Sequence, residues 1–216
     1  MTTQLTLAHD LMLLSLDPET GARRATSNIG TALAGALLAE LALAGRVDID
    51  AKKKVQVLDP SPTGEPRSDD LLNRLIASKP RTATAWVQKL SRAYAKDVLA
   101  DLCAAEIVRR DERRFLGMDN SRYPQLGGGR RDTLLSSLRG VMITGLTPTD
   151  TRVPALGALV LAVGLQRRIF PGVKRKDLQR RLDELDRAGW ASKAVRDAIQ
   201  AAQAAAAAGG AVAASS

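Results

Sequence analysis

The fold is decided by residues 33–45, which read Leu-Ala-Gly-Ala-Leu-Leu-Ala-Glu-Leu-Ala-Leu-Ala-Gly. Their leucines recur at three- and four-residue spacing, which predicts a helix, and Gly45 is a typical helix stop. Alanine occupies the other faces, so we expect this helix to be buried on more than one side. The stretch therefore predicts a protein organised around a central helix.

Helical patterns continue on both sides of this stretch. A short helix is predicted over 5–16, and others over 68–77, 82–105, 131–144, 152–169, 175–188 and 192–207. Two short alternating patterns, Val47/Ile49 and Val55/Val57, flank three lysines, Lys52–Lys54. This alternation predicts a β-hairpin with a basic turn near 46–58.

The composition agrees with a single helical domain. Apolar residues make up 45% of the 216 residues and aromatic residues only 3%, so the core must be built from aliphatic side chains. Residues 201–216 are nearly pure alanine with Gly209 and Gly210. We therefore expect a domain over 1–200 and a flexible alanine-rich tail over 201–216.

The charge balance predicts a polyanionic partner. Lys and Arg total 32 against 23 Asp and Glu, which gives a net charge of +9 and an isoelectric point near 10.2. Such an excess suits nucleic acid or an acidic membrane surface. The longest apolar stretches, 33–44 and 153–165, are too short to span a bilayer. We therefore expect a cytoplasmic protein whose membrane contact, if it has one, is peripheral.

Residues that usually carry catalysis are scarce. The chain has one histidine, His9 beside Asp10, and one cysteine, Cys103 within an apolar helical pattern. A structural role is the simpler interpretation of each. Gly127–Gly129 resembles a phosphate loop only loosely and is better interpreted as a flexible joint. We expect no enzymatic activity, no metal and no cofactor.

The most informative segment is 108–124, where cations surround a short apolar run. Four of its arginines, Arg109, Arg110, Arg113 and Arg114, precede the run, which is Phe115-Leu116-Gly117-Met118. An apolar tip flanked by cations suits a lipid interface, where arginines meet headgroup phosphates. A second interpretation turns Phe115 and Met118 inward, and the sequence leaves both open.

A nucleic-acid role uses the same residues differently. A helical pair followed by a basic hairpin also describes a winged-helix protein, with Arg92 and Lys96 on the recognition helix. The positive charge fits phosphate contacts equally well.

Several stretches together resemble the Golgi phosphoprotein 3 family. They are Leu5-Thr6-Leu7, the run from Leu38 to Val47, the basic hairpin followed by Pro62-Thr63-Gly64, the passage from Arg92 to Leu116, and 149–170. The resemblance covers roughly residues 4–200. The abundance of alanine, arginine and glycine is typical of a high-GC bacterial genome, so we expect a bacterial, actinobacterial member.

The resemblance implies a fold and a function. The expected fold is mainly α, a compact single-domain helical bundle with the basic hairpin near 46–58 and a projecting β-hairpin near 107–123. The expected activity is binding of phosphatidylinositol 4-phosphate or another anionic headgroup at a basic surface, with the hairpin tip entering the membrane or joining protomers. The implied partners are anionic lipid, a homo-oligomer and protein cargo, rather than nucleic acid.

The resemblance also places the headgroup site. The family's four pocket positions fall on Ala25, Ala34, Arg92 and Ala95, with Lys96 adjacent to the last. Arg23 and Arg24 lie next to the first position and are expected to supply charge there. The implied headgroup residues are therefore Arg23, Arg24, Arg92 and Lys96.

Overall fold

The computed structural model describes residues 5–23, 28–115, 118–127, 129–189 and 191–212. This part of the chain forms ten helices and two hairpins of short strands, so the predicted mainly helical class is confirmed. The helices are α1 (Leu7–Ser15), α2 (Ile29–Leu43), α3 (Pro66–Ile76), α4 (Ala83–Lys89), α5 (Ala95–Ala104), α6 (Gly129–Met142), α7 (Arg152–Ala162), α8 (Gln166–Ile169), α9 (Arg175–Arg187) and α10 (Lys193–Val212). The strands are β1 (Val47–Ile49), β2 (Val55–Val57), β3 (Arg114–Phe115) and β4 (Met118–Asp119).

Helix α2 is the centre of the core, as its sequence predicts. It packs against α1, α3, α4, α7 and α10, and its leucines are fully or almost fully buried apart from Leu43. Burial on several sides explains why its faces are alanine and leucine throughout, because no side is left for water.

Helix α10 extends the domain beyond its predicted boundary. A Cβ on Gly35 of α2 would lie 2.3 Å from the Cβ of Ala202, so these two helices approach closely because both residues are small. Ala201, Ala202 and Ala205 are buried. The expectation that residues beyond 200 find nothing to pack against is therefore corrected for these three alanines, which lie against α2 and its neighbours.

The long helix predicted over 82–105 is two helices. Helix α4 ends at Lys89 and is capped by Leu90, and α5 begins after Tyr94, so a turn over 91–94 separates them. Tyr94 is buried and its hydroxyl donates to the Asp70 carboxylate at 3.0 Å. Burying this aromatic ring and satisfying its hydroxyl fixes the turn where the sequence pattern indicates continuous helix.

Smaller departures concern helix ends. Helix α3 begins at Pro66, two residues before the predicted start at 68, and is capped by Glu65, whose carboxylate accepts from the Ser68 backbone amide at 2.7 Å. Pro66 occupies the first turn, where its missing amide costs no hydrogen bond. The single helix predicted over 152–169 breaks at Gly164, which adopts a positive φ of 76°, and continues as α8.

Candidate functional site

The arginine-rich segment forms the predicted hairpin. Bridges between Val108 and Gln125 and between Asp111 and Arg122 keep the same antiparallel register as β3 and β4. The buried side chains of Val108 and Tyr123 hold its base on the core. The strands therefore lead away from this base to Phe115 and Met118.

The hairpin exposes its cations. Arg109, Arg110, Arg113 and Arg114 are all solvent-exposed. The structure describes only part of the predicted apolar tip. Leu116 lies outside the described residues, and for Phe115 and Met118 the structure describes the backbone but not the side chains.

The hairpin arginines differ in how they are neutralised. The Arg109 guanidinium donates to the Asp111 carboxylate at 2.8 Å, and this hydrogen bond holds the pKa of Asp111 below its ordinary value. Arg110 lies 3.6 Å from Glu112 and 3.9 Å from Asp119. Neither Arg113 nor Arg114 makes an ion pair within the described part of the chain. Positive charge is thus least neutralised toward the tip.

The loop before α2 is attached to the hairpin base. The Tyr123 amide donates to the Gly21 carbonyl at 2.7 Å, and the Arg23 guanidinium donates to the Asp119 carbonyl at 3.1 Å. Gly21 has a φ of +63° and is so close to the Tyr123–Pro124 backbone that a Cβ would overlap it. Arg23 therefore belongs to the hairpin surface. Arg24 lies outside the described residues.

The second predicted group of cations lies at the turn between α4 and α5. Arg92 is in this turn and Lys96 is in the first turn of α5. Both are exposed, and neither pairs with a carboxylate among the described residues. The turn packs on the start of α2, because a Cβ on Gly30 would lie 1.9 Å from the Ser91 carbonyl oxygen.

One face of α5 connects this turn to the hairpin. Lys96 and Cys103 are seven residues apart, which places them on the same face of the helix about 10 Å apart along its axis. Burial raises the pKa of the Cys103 thiol, and the Arg110 guanidinium is close enough to oppose that increase. Helix α5 thus runs from the turn that carries Arg92 to the base of the hairpin, with Lys96 in its first turn and Arg110 close to Cys103 near its end.

The isolated histidine is structural. His9 is fully buried, and its Nδ1 accepts from the Thr6 backbone amide at 3.0 Å. The proton must then be on Nε2, which donates to the Asp101 carboxylate at 3.3 Å. Arg67 donates to the same carboxylate through Nε and Nη2, at 2.6 and 2.8 Å. Both ring nitrogens of this imidazole therefore have hydrogen-bond partners inside the protein.

A large pocket is lined by none of the cations predicted to bind lipid. Its volume is about 990 Å³, and it lies between the start of α1, the end of α5, and α6 and α7. Buried Asp10 lines it and pairs with Arg130 at 2.5 Å, while burial raises the pKa of Asp10. Gly129 begins α6, so the last residue of the predicted glycine joint is helical.

Sequence reasoning missed Asp119 as a site residue. Its carboxylate accepts from the Ser121 amide at 2.9 Å and lies 3.8 Å from Arg23. The Ser121 hydrogen bonds keep its pKa below the ordinary value. No sequence signal could identify this role, because Arg23 and Asp119 meet only through tertiary packing.

Comparison with known proteins decides the family. A family model described as Golgi phosphoprotein 3 (GPP34) matches residues 7–202. This chain belongs to the Golgi phosphoprotein 3 family. The match includes the whole hairpin and reaches Ala202 in α10. The family resemblance deduced from the sequence is therefore confirmed.

A curated relative agrees with this Golgi phosphoprotein 3 assignment. Vacuolar protein sorting-associated protein 74 from Eremothecium gossypii is 36% identical over 98 residues, which cover 40% of this chain and 30% of that protein. The alignment thus spans under a third of the relative's length. In the part of the chain that the structure describes, no helix is long and apolar enough to cross a membrane.

The family pocket positions are not equally accessible in this chain. Ala34 is buried within α2, so no side chain reaches the surface from that position. Ala25 lies outside the described residues. Ala95 begins α5 beside exposed Lys96, and Arg92 is the charged residue among the four. Of the cations predicted to bind lipid, those that the structure describes as exposed are therefore Arg92, Lys96, Arg23 and the hairpin arginines.

Proposed function

We propose that this protein docks peripherally on anionic membrane lipid, with phosphoinositide headgroups such as phosphatidylinositol 4-phosphate as its preferred ligands. The observation that carries the proposal is the exposure of four cations, none of which pairs with a carboxylate that the structure describes: Arg92, Lys96, Arg113 and Arg114. Family membership over residues 7–202 supports the same function.

The two cation groups suit different parts of a lipid surface. Arg92 offers a planar fork that can bind two phosphate oxygens, and Lys96 beside it contributes a mobile point charge. The hairpin carries Arg113 and Arg114 next to the apolar residues of its tip. Headgroup contact and tip insertion would act as two weak signals on one rigid body, and together they hold more strongly than either alone.

The role we propose is binding, without catalysis. An oligomer joined through the hairpin and a protein cargo both remain compatible with it. The nucleic-acid alternative loses its geometric basis, because Arg92 lies in a turn and no single helix carries both Arg92 and Lys96. A recognition helix would need such residues on one continuous face.

Vesicle flotation tests the headgroup contact. The protein should float with vesicles of phosphatidylcholine mixed with phosphatidylserine or phosphatidylinositol 4-phosphate, and should not float with phosphatidylcholine alone. Arg92→Gln with Lys96→Gln should weaken binding by about 30-fold, at about 1 kcal/mol for each cation. The matched control is Lys174→Gln with Lys176→Gln, which removes two exposed charges next to and within α9. Equal recovery with neutral and acidic vesicles contradicts the proposal.

A second experiment tests the hairpin tip. Under insertion, Phe115→Asp should reduce flotation while leaving the molar mass in solution unchanged, as measured by light scattering. A fall in molar mass with unchanged flotation would instead assign the tip to an oligomer contact. Duplex DNA binding that is steep in salt and unaffected by Phe115→Asp would favour the nucleic-acid alternative.

A further inference from the structure

A second basic surface lies outside the site described above. Between Asp70 and Asp97 the chain contains no acidic residue. The same stretch contains six cations, Arg74, Lys79, Arg81, Lys89, Arg92 and Lys96. Arg92 and Lys96, at the C-terminal end of this stretch, belong to the proposed headgroup site. Lys79 and Arg81 lie at its beginning, in the loop between α3 and α4.

The fold brings the basic turn of the first hairpin to this loop. The Val55 amide donates to the Arg81 carbonyl at 2.9 Å, and the backbone of Lys54 pairs with that of Thr82. Three lysines of the turn thus lie beside two cations of the loop. We call these five residues the turn patch; they are Lys52, Lys53, Lys54, Lys79 and Arg81, and all are exposed.

The turn patch is weakly neutralised. None of its five cations makes an ion pair with a carboxylate that the structure describes. The nearest acid along the chain, Asp50, uses Oδ1 to accept from the amides of Lys52 and Lys54, both at 2.8 Å, and Oδ2 to accept from Gln56 at 2.9 Å. Asp50 therefore fixes the backbone of the turn, while the three lysine side chains extend into solvent.

Two exposed aliphatic side chains come from elements next to the turn patch. Ile76 ends α3, three residues before Lys79, and is 50% exposed. Leu58 follows β2 directly and is 63% exposed, and β2 packs on α3. Cations beside exposed aliphatic groups suit the boundary between lipid headgroups and acyl chains.

The same features argue against a nucleic acid or an acidic peptide as the occupant. The side chains of Val47, Ile49 and Val55 are buried against the body, so the strands cannot enter a DNA groove. The four aromatic side chains that the structure describes, Trp86, Tyr94, Tyr123 and Phe170, are all buried, so none of these four can stack on an unpaired base. A purely polyanionic partner would not bury the exposed apolar side chains of Ile76 and Leu58.

We propose that the turn patch is a second contact with the anionic bilayer surface, one that senses charge density and does not recognise a particular headgroup. It rests on the proposed membrane docking but uses different residues. Helix α4 connects the two regions, with Gln88 and Lys89 exposed between them. Four of the five cations are lysines, which act as point charges without the planar fork that reads phosphate geometry.

The test uses the full chain with Lys52→Gln, Lys53→Gln and Lys54→Gln combined. Binding to phosphatidylcholine vesicles containing phosphatidylserine should weaken by about 100-fold, at roughly fivefold for each cation near an anionic surface. The dependence of binding on salt should also become shallower. The control combines Lys174→Gln, Lys176→Gln and Arg187→Gln, three exposed cations at α9, which packs on α6 and α7. It should leave binding nearly unchanged.

Each outcome separates this inference from the proposed function. Wild-type affinity in the triple variant, or an equal loss in the control, overturns the turn patch while leaving the Arg92–Lys96 site intact. Loss in the triple variant with no loss on changing Arg92 and Lys96 supports the turn patch and rejects the proposed headgroup site.

A double variant, Leu58→Gln with Ile76→Gln, identifies the kind of partner. Weaker vesicle binding with unchanged retention on an anionic resin supports a bilayer. If the triple lysine variant keeps its vesicle binding but loses binding to polyglutamate or duplex DNA, the bilayer assignment is overturned.

Discussion

The guanidinium of Arg23 donates to the backbone carbonyl of Asp119 at 3.1 Å, and the Asp119 carboxylate lies 3.8 Å from the same side chain. This contact joins the loop before α2 to the outer part of the hairpin. Arg110 approaches the same carboxylate at 3.9 Å. One acidic residue therefore offsets two arginines on the surface that we propose meets lipid.

Removing that acid should strengthen membrane binding. Asp119→Asn keeps the acceptor for the Ser121 amide but leaves Arg23 without a carboxylate and Arg110 with Glu112 alone. We expect affinity for phosphatidylserine vesicles to rise about fivefold, for about 1 kcal/mol gained per unit of net positive charge near the surface. Asp183→Asn on α9 makes the same charge change elsewhere and should have no effect; an equal gain there would contradict the prediction. Vesicle flotation measures both.

Helix α2 packs closely against the turn that carries Arg92, and a substitution at Gly30 tests this contact. Gly30→Ala would place a Cβ 1.9 Å from the Ser91 carbonyl oxygen, so the turn must move. We expect a loss of about 1–3 kcal/mol in the free energy of unfolding, with weaker binding to anionic vesicles. Urea denaturation and flotation are the measurements.

The control for this change is Gly157→Ala in α7. There the new Cβ would lie 2.9 Å from the sulfur of Met142, which is at the flexible end of a side chain. Methionine can move aside, and alanine favours helix over glycine, so stability should change little. A comparable loss in both variants would show that the Ser91 contact is not specific.

The Asp101 carboxylate should make stability depend on pH. Burial favours its neutral form, but the hydrogen bonds from Arg67 and His9 outweigh this and lower its pKa below 3.8. A lowered pKa in the fold gives stability that is present above pH about 4 and is lost as the pH falls further. Asp101→Asn should therefore cost about 2 kcal/mol near neutral pH and less in acid.

Urea denaturation of wild type and Asp101→Asn at several pH values measures this difference. Asp97→Asn is the matched control, since Asp97 contacts the same Arg67 at 3.6 Å but is largely exposed. Its effect should be small at every pH. A cost of Asp101→Asn that is constant from acid to neutral pH contradicts the assignment.

The end of α10 should contribute to stability. Truncation after Gln200 removes the buried methyl groups of Ala201, Ala202 and Ala205. We expect a loss of about 2 kcal/mol in the free energy of unfolding, at about 0.8 kcal/mol for each buried methyl. Truncation after Ala207 keeps these contacts and should cost less than about 0.5 kcal/mol. Equal denaturation midpoints for the two truncations would place the domain end at residue 200.

Most elements of this fold could be predicted from short-range patterns in the sequence. The leucine spacing in 33–45 predicted α2, and the alternation around Lys52–Lys54 predicted the first hairpin. These predictions succeeded because hydrophobic periodicity reflects which face of an element is buried. The prediction of one long helix over 82–105 was wrong, because burial of Tyr94 interrupts a pattern that is helical on both sides of it.

Only part of the candidate site could be predicted from the sequence. Arg92, Lys96 and the hairpin arginines were identifiable as residue types, since uncompensated charge beside an apolar run has few structural uses. Ala34, which the family resemblance placed in the pocket, is buried, and Asp119 was not foreseen. Local patterns do not report which distant charges become neighbours.

The sequence by itself determined the helical class, the first hairpin and the excess of positive charge, because each follows from the residues of a short stretch or from composition. Only the tertiary structure decided that Arg23 meets Asp119 and that Lys54 lies beside Thr82. The reason is physical: the strength of an electrostatic contact depends on distance through space, and packing of the whole chain sets that distance.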